Sequence, residues 1–170
     1  APIKAPAGTI IGAIETLWDK TEDKIAEQDR ERHTRLLTET ARALAESERT
    51  MTQIIQGSTI PTFVINENHL VTHWNKALER LTGFSADEMV GTRKQWKAFY
   101  RNERSTMADV ILDQIDETQI RKLYGTKWRQ SSLIEGAYEA EDFFPHFGQS
   151  GKWIWFTASP IKAPNGRVAG

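Results

Sequence analysis

The sequence predicts an α+β fold, in which strands flank a group of helices in the middle of the domain. Two changes of pattern indicate this class. Residues 13–56 contain neither glycine nor proline and are rich in both signs of charge, which is typical of one long exposed helix. After Gly57 the apolar period changes to two, and the order that follows is β-β-α-α-α-α-β-β-β.

The composition narrows the partners that this chain can have. Hydrophobic residues make up 39% of the 170 residues, which is ordinary for a globular protein. The 22 Lys and Arg residues nearly balance the 23 Asp and Glu residues, so we expect no nucleic-acid partner and no membrane contact. The absence of cysteine excludes disulfides and thiolate chemistry. It fits a cytoplasmic location, in a free protein or as part of a membrane-anchored receptor.

An internal repeat links the two ends of the chain. Residues 1–12 match residues 159–170 at seven of twelve positions, with an offset of 158. The identities are Pro2, Ile3, Lys4, Ala5, Pro6, Gly8 and Gly12 with their counterparts. Each copy predicts a strand, a tight turn and a second strand. We therefore expect residues 1–18 to be the last hairpin of a preceding module, the alternative being a duplicated turn of no wider meaning.

The long charged segment predicts a helix from Thr21 to Gln56, with Asp19 capping its start. Leu37, Leu44 and Met51 recur every seven residues and give the helix a thin apolar seam. Such a seam is typical of a weak two-stranded coiled coil. The alternatives are a solvated single helix and a helix folded back onto the domain.

Shorter patterns define the rest of the chain. A strand, a turn at residues 66–68 and a second strand are followed by a helix from Asn75 to Leu81 that closes at Gly83. Ser85 caps a further helical turn. The remaining expected elements are helices over 103–116 and 117–124, and strands over about 132–140, 152–161 and after Gly166.

This order of elements resembles the PAS family. Residues 61–65, 73–77 and 81–85 are similar to the opening strands and first helix of that family, and residues 151–161 to its penultimate strand. Residues 12–22 are similar to the last PAS strand and the Asp-x-Thr motif, here Asp19 and Thr21, which leads into a signalling helix. The resemblance implies a five-stranded antiparallel sheet with helices on one face. It divides the chain into the end of a preceding repeat (1–18), a signalling helix (19–56) and a PAS domain lacking most of its final strand (57–170).

The resemblance implies a non-enzymatic sensory module of a multidomain bacterial protein, such as a histidine kinase of a two-component system, a diguanylate cyclase or a chemoreceptor. Such modules bind a small molecule between the sheet and the middle helices, or bind nothing and mediate dimerisation, and both alternatives stay open here. The signal would pass through the helical linker. Asp19 and Thr21 would tie the last strand to the start of that helix.

No catalytic or metal-binding group of residues stands out in the sequence. The reactive cysteine of flavin photosensors is missing, and residues 109–124 lack the histidine that haem-binding PAS members place there, so we expect neither covalent flavin nor haem. A small organic ligand would draw on an aromatic-rich insertion and its neighbours, the alternative being a filled core. The candidate ligand-binding residues are Trp96, Phe99, Tyr100, Leu123, Tyr124, Tyr138 and Phe143.

Alternation along residues 152–160 directs Ile154 and Phe156 toward the core and leaves Trp153 and Trp155 on the outer face. Exposed aromatic side chains usually mark an interface. We expect either a second subunit or the helical residues Met51, Ile54 and Ile55 to cover them. The alternative is that both tryptophans face inward.

The predicted helix would span about 54 Å at 1.5 Å per residue. A core of about 115 residues is only roughly 30–35 Å across. Residues 9–18 would then not reach their own sheet, so we expect strand exchange between chains, as a homodimer or a head-to-tail series.

Overall fold

The computed structural model describes residues 2–13 and 15–170, without the side chains of residues 10, 11 and 13. The chain divides into two compact units, Ala1–Glu48 and Arg49–Gly170. In the second unit antiparallel strands flank a group of helices as the sequence predicts, which confirms the α+β class.

The first unit opens with the hairpin that the repeat predicts. Strand β1 (Pro2–Lys4) pairs antiparallel with β2 (Ile10–Ala13). The Gly8 backbone closes the turn with a φ of 84°, a left-handed conformation that glycine adopts without strain. Residue 14 of the predicted strand lies outside the described residues, and residues 15–18 form no strand. Exchange of residues 9–18 between chains stays a prediction.

Helix α1 (Thr21–Gly57) is one residue longer than the predicted helix. The carboxylate of Asp19 caps its start by accepting hydrogen bonds from the Thr21 amide (2.9 Å) and the Thr21 hydroxyl (2.6 Å). No described residue of α1 is buried. Leu44 of the apolar seam is 62% exposed and Met51 is 59% exposed.

The second unit begins with a strand pair and two short helices. Strand β3 (Phe63–Ile65) pairs antiparallel with β4 (Val71–Trp74). Helices α2 (Lys76–Thr82) and α3 (Ala86–Met89) follow. Gly83 ends α2 in a left-handed conformation, as predicted, and Ser85 caps α3 through a capping box.

The middle of this unit differs from the expected continuous helix over 103–116. After a 3-10 helix (Gln95–Ala98), α4 covers only Met107–Leu112, and α5 (Glu117–Tyr124) is separate. The helical run ends before Gln114, whose φ of 49° is left-handed, and the Asp116 side chain then caps α5 by accepting a hydrogen bond from the Gln119 amide at 2.9 Å.

The last three strands form an antiparallel ladder in the order β5 (Trp128–Gln130), β6 (Tyr138–Phe144) and β7 (Lys152–Ala158). The predicted strand at about 132–140 was misplaced. Residues 132–136 form bends and a turn, and the strand begins only at residue 138. The five strands of this unit therefore fall into two ladders, β3–β4 and β5–β6–β7.

The repeat at the end of the chain has the geometry of the repeat at its start. Lys162 bridges Val168, and the equivalent pair in the first hairpin is Lys4 and Ile10. The Ala163 amide donates to the Arg167 carbonyl at 2.8 Å, a bond that the first turn also makes at an offset of 158. The two copies share a backbone conformation as well as a sequence.

Two groups of buried residues form the core of this unit. The first lies around β3, β4 and α2, and the second around α4, α5 and β6. The Phe99 ring packs against the first group, and its centre lies 6.1 Å from the centre of the Phe144 ring. The Phe144 ring in turn lies 6.3 Å from the Phe156 ring, which packs against the second group. Aromatic side chains thus connect the two groups.

Candidate functional site

Most of the aromatic candidates from the sequence lie together. Tyr124 is 5% exposed and belongs to the second core group, with Leu123 and Tyr138 packed against it. Tyr100 is half-buried between the two groups, with its ring 6.3 Å from the Phe99 ring. The fold therefore collects these side chains between the 3-10 helix, α5 and β6.

Two of the candidates lie elsewhere. Phe143 is 41% exposed and its ring contacts the Trp153 ring at 5.7 Å, on the face of the ladder opposite Phe144. Trp96 is half-buried, and the ammonium group of Lys97 lies 5.8 Å from its ring centre. Among the described contacts, neither side chain joins the group around Tyr124.

The guanidinium group of Arg104 is the charged member of this aromatic group. Its central carbon lies 4.1 Å from the ring centre of Tyr100 and 5.0 Å from that of Tyr124. Its Nη2 donates to the Leu123 carbonyl at 2.9 Å. Its Nε is buried and has no hydrogen-bond partner among the described residues. Arg104 is thus held by two ring faces and one carbonyl, and its buried Nε is not used.

The two phenol groups beside Arg104 are hydrogen-bond donors. Their oxygens lie 3.5 Å apart, at the outer limit of a hydrogen bond. Burial raises the pKa of Tyr100 above 10.0, its ordinary value. Burial is also the largest of the causes that raise the pKa of Tyr124. Both groups therefore stay protonated at neutral pH.

A second polar group lies around the buried carboxylate of Asp109, which is 6% exposed as a residue. One oxygen lies 2.8 Å from Nδ1 of His69 and accepts from Nε2 of Gln95 at 2.9 Å. The other accepts from the Thr106 amide at 2.8 Å and the Thr106 hydroxyl at 2.7 Å. Nε2 of His69 lies 3.3 Å from a carboxylate oxygen of Asp113. This network fixes the turn before β4 to the start of α4.

Asn75 joins the end of α1 to the core. Its side chain is fully buried, and its amide donates to the carbonyls of Ile55 (3.2 Å), Ser58 (3.4 Å) and Ile60 (2.8 Å). Its oxygen accepts from the amides of Thr62 (3.0 Å) and Leu78 (2.9 Å). Gln56 adds a bond to the Trp74 carbonyl at 3.1 Å.

An open groove of about 540 Å³ lies beside this junction, between the end of α1 and α2. Its volume is within the range of small-molecule sites. The sequence did not point to a ligand there. The groove is lined by Gln56, Gly57, Ser58, Thr59, Pro61, Lys76, Ala77, Arg80 and Leu81.

The outer face of β7 carries the two tryptophans, as alternation predicts. Trp153 is 65% exposed and Trp155 is 61% exposed, while Phe156 points to the core. Met51 and Ile54 of α1 are exposed too, and Ile55 is half-buried. The helical residues therefore do not shield this face from solvent.

The sequence alone does not identify three of these residues, Asn75, Arg104 and Asp109, as parts of a site. Arg104 is one of many arginines, and Asp109 occurs in a helical pattern without a paired histidine nearby in the sequence. The sequence indicates Asn75 only as the start of a helix. No described group of three or more His, Cys, Asp or Glu side chains could hold a metal ion.

The second unit matches the model of a known protein family. A model described as the PAS fold matches residues 49–167, which include the whole second unit apart from its last three residues. The chain belongs to the PAS family. This confirms the resemblance drawn from the sequence, and it makes the second unit a sensory or signalling module in the general sense of that family. None of the curated proteins matches the chain.

None of the described helices of this PAS chain is both long and apolar enough to cross a membrane. The longest of them, α1, carries charged side chains from Glu22 to Arg49.

Proposed function

We propose that this PAS chain senses a small molecule or a conformational change and relays it through α1, as part of a bacterial histidine kinase, diguanylate cyclase or chemoreceptor. It works in the cytoplasm, in a free protein or in the cytoplasmic part of a membrane-anchored receptor. It catalyses no reaction itself. The site of sensing is the aromatic group around Tyr100, Arg104 and Tyr124.

The observation that carries the proposal is the attachment of α1 to the core by Asn75. Three carbonyls at and after the last turn of α1 accept from one buried NH2 group, and the oxygen of the same side chain caps α2. A shift of β4 or α2 therefore moves the end of α1, because buried hydrogen bonds are costly to break. Such a fixed junction is what a two-state relay requires.

Native mass spectrometry of the purified chain, followed by amide hydrogen exchange, tests this function. We expect a compound bound to the chain, and slower exchange at residues 55–62 in the bound form than after its removal. In Asn75→Ala the same compound would bind, but exchange at residues 55–62 would no longer respond to it. A bound compound that leaves this segment unchanged in the natural sequence would contradict the relay.

A second candidate function is a ligand-free dimerisation module. It is favoured by the exposed Trp153 and Trp155 on β7 and by the exposed seam of Leu37, Leu44 and Met51. Sedimentation equilibrium separates the two functions when it is combined with mass spectrometry. A dimer that carries no compound would favour this second function.

A further inference from the structure

The groove between the end of α1 and α2 has room for a ligand. It is open to solvent and has a volume of about 540 Å³, more than an inorganic ion would fill and within the range of small-molecule sites. All of its lining residues lie in the second unit. The groove can therefore take a small organic molecule.

The charged side chains that line the groove are basic. They belong to Lys76 and Arg80, which are four residues apart and so lie on one face of α2. No aspartate or glutamate is among the lining residues. Lys76 pairs with Glu79 at 2.7 Å, whereas the exposed Arg80 has no acidic partner among the described residues. Like charges one turn apart destabilise each other, so an anion between these two side chains is attracted to both.

The wall formed by the end of α1 adds a hydrogen-bond donor. The Ser58 hydroxyl lines the groove and accepts from the Ile60 amide at 3.2 Å. Its own proton is thus available to a ligand, since a hydroxyl can accept and donate at the same time. The apolar part of the lining consists of Pro61, Ala77 and Leu81.

We propose that this groove binds a small phosphate monoester. The phosphate lies between Arg80 and Lys76, because the guanidinium fork matches two phosphate oxygens and the ammonium group adds a compact charge. The third terminal oxygen is free to accept from the Ser58 hydroxyl. The organic part of the ester occupies the rest of the groove, against the apolar side chains of Pro61 and Leu81.

The groove borders the junction between α1 and the core. Ser58 and Gln56 line the groove and also take part in that junction. The Ser58 carbonyl accepts from the Asn75 amide at 3.4 Å, and Gln56 donates to the Trp74 carbonyl at 3.1 Å. An ester that contacts both this wall and α2 therefore acts on the end of α1. This site goes beyond the proposed function, which places sensing in the aromatic group.

Calorimetric titration of the full chain, in a buffer free of phosphate, tests the proposal. The probes are phenyl phosphate and glycerol phosphate, and their neutral counterparts are phenol and glycerol. We expect at least one ester to bind and its neutral counterpart to bind about tenfold more weakly or worse, since the charge-assisted bonds are lost. Failure of both esters to bind, or equal affinity for ester and alcohol, overturns the proposal. Succinate, a dicarboxylate, overturns the phosphate class if it binds as tightly as the esters.

Variants of exposed arginines locate the binding. Arg80→Gln should weaken the ester at least about tenfold, because the forked contact to the phosphate is lost. Arg93→Gln is the matched control, since Arg93 is also exposed but does not line the groove, and it should bind like the natural sequence. Ester binding that survives Arg80→Gln overturns the site.

NMR of the natural sequence gives a readout that needs no variant. The amide signals of residues 56–61 and 76–81 should shift when the ester is added. Shifts confined to residues 100–104 and 120–124 would place the ester at the aromatic group and overturn the groove as its site.

The outcomes separate this inference from the proposed function. Ester binding in the groove of a chain that carries no compound at the aromatic group supports the inference and contradicts the proposed site of sensing. A compound bound at the aromatic group of a chain that binds neither ester does the reverse.

Discussion

The side-chain amide of Asn75 donates a hydrogen bond to the main-chain carbonyl of Ile55, across 3.2 Å and twenty residues of sequence. The donor belongs to the residue that caps α2, and the acceptor lies in the last turns of α1. One buried side chain thus specifies how the end of the long helix meets the PAS core. Replacing Asn75 should therefore lower the stability of the fold and weaken the relay of a signal to α1.

Asn75→Asp should destabilise the chain by about 3–5 kcal/mol, because it removes a buried donor and places a carboxylate oxygen against carbonyl oxygens. The aspartate keeps both bonds that the Asn75 oxygen accepts, so the change isolates the donated bonds. The measurement is the free energy of unfolding in urea.

Asn66→Asp is the matched control for that substitution. The Asn66 oxygen also accepts two amides, those of Asn68 (3.0 Å) and Leu70 (3.1 Å), and its side-chain amide donates to no described residue. Asn66→Asp should lower the free energy of unfolding by no more than about 0.5 kcal/mol. Similar losses for both variants would show that the bonds to Ile55, Ser58 and Ile60 contribute little.

Asp109→Asn should lower the free energy of unfolding by about 2–4 kcal/mol. A carboxylate accepts hydrogen bonds on both of its oxygens, whereas a side-chain amide accepts on only one. Either the Thr106 bonds or the bonds from His69 and Gln95 are then lost. Asp113→Asn is the control, since Asp113 is exposed and lies 3.3 Å from the same histidine. Equal unfolding free energies in urea for the two variants would contradict a central role of Asp109.

Local patterns were enough to predict much of this fold. The start of α1 follows from Asp19 and Thr21, and the first hairpin from the repeat, because caps and turns depend on neighbouring residues. The alternation of side chains predicts which residues of β7 face the core, because a strand of seven residues has enough positions to show a period of two. Strand β5 has only three residues and shows no such period, so the sequence does not predict it, and the strand predicted at about 132–140 begins before β6 does.

The candidate site was predicted only in part, for a related reason. Aromatic residues such as Tyr100 and Tyr124 could be named from composition, since large rings usually lie in the core. Arg104 could not, because its defining contacts are made with Leu123 and Tyr124, about twenty residues away. The donors of Asn75 likewise act on carbonyls fifteen to twenty residues earlier in the chain.

The cap of α1 should respond to pH. Hydrogen bonds from the Thr21 hydroxyl and then the Thr21 amide lower the pKa of Asp19 below its ordinary 3.8. A lowered pKa means that the cap stabilises α1 above pH 3.8 and loses this effect as the pH falls through the lower folded value. The carboxyl carbon shift of Asp19, followed by NMR, should therefore titrate with a midpoint below 3.8.

Thr21→Val tests the cause of this shift, because it removes the hydroxyl and keeps the amide. The pKa of Asp19 should rise toward 3.8 in this variant. In Thr38→Val, where the lost hydroxyl donates to the Thr34 carbonyl on the same helix, it should not move. If the titration midpoint of Asp19 is the same in Thr21→Val as in the natural sequence, the assigned hydrogen bond is contradicted.

The tryptophans on β7 should contribute to self-association. Trp155 is 61% exposed, so Trp155→Gln should cost little stability but weaken a dimer that buries this face. Sedimentation velocity over a range of concentrations measures the effect, which we expect to be about tenfold or more in the dissociation constant. Leu133→Gln is the control, because Leu133 is also exposed, at 89%, but lies outside β7. An effect of Leu133→Gln equal to that of Trp155→Gln would mean that replacing any exposed apolar side chain weakens the dimer, and β7 would then have no special part in it.

Cross-linking should show whether α1 pairs along its seam. Because the chain has no cysteine, Leu44→Cys introduces a single thiol at a position of the seven-residue repeat. In a parallel pair this thiol faces its own copy, and oxidation should give a disulfide-linked dimer on a non-reducing gel. Arg42→Cys places the thiol on the opposite side of the helix and should cross-link much less. Equal cross-linking of the two variants would mean random collision and would leave the seam without a partner helix.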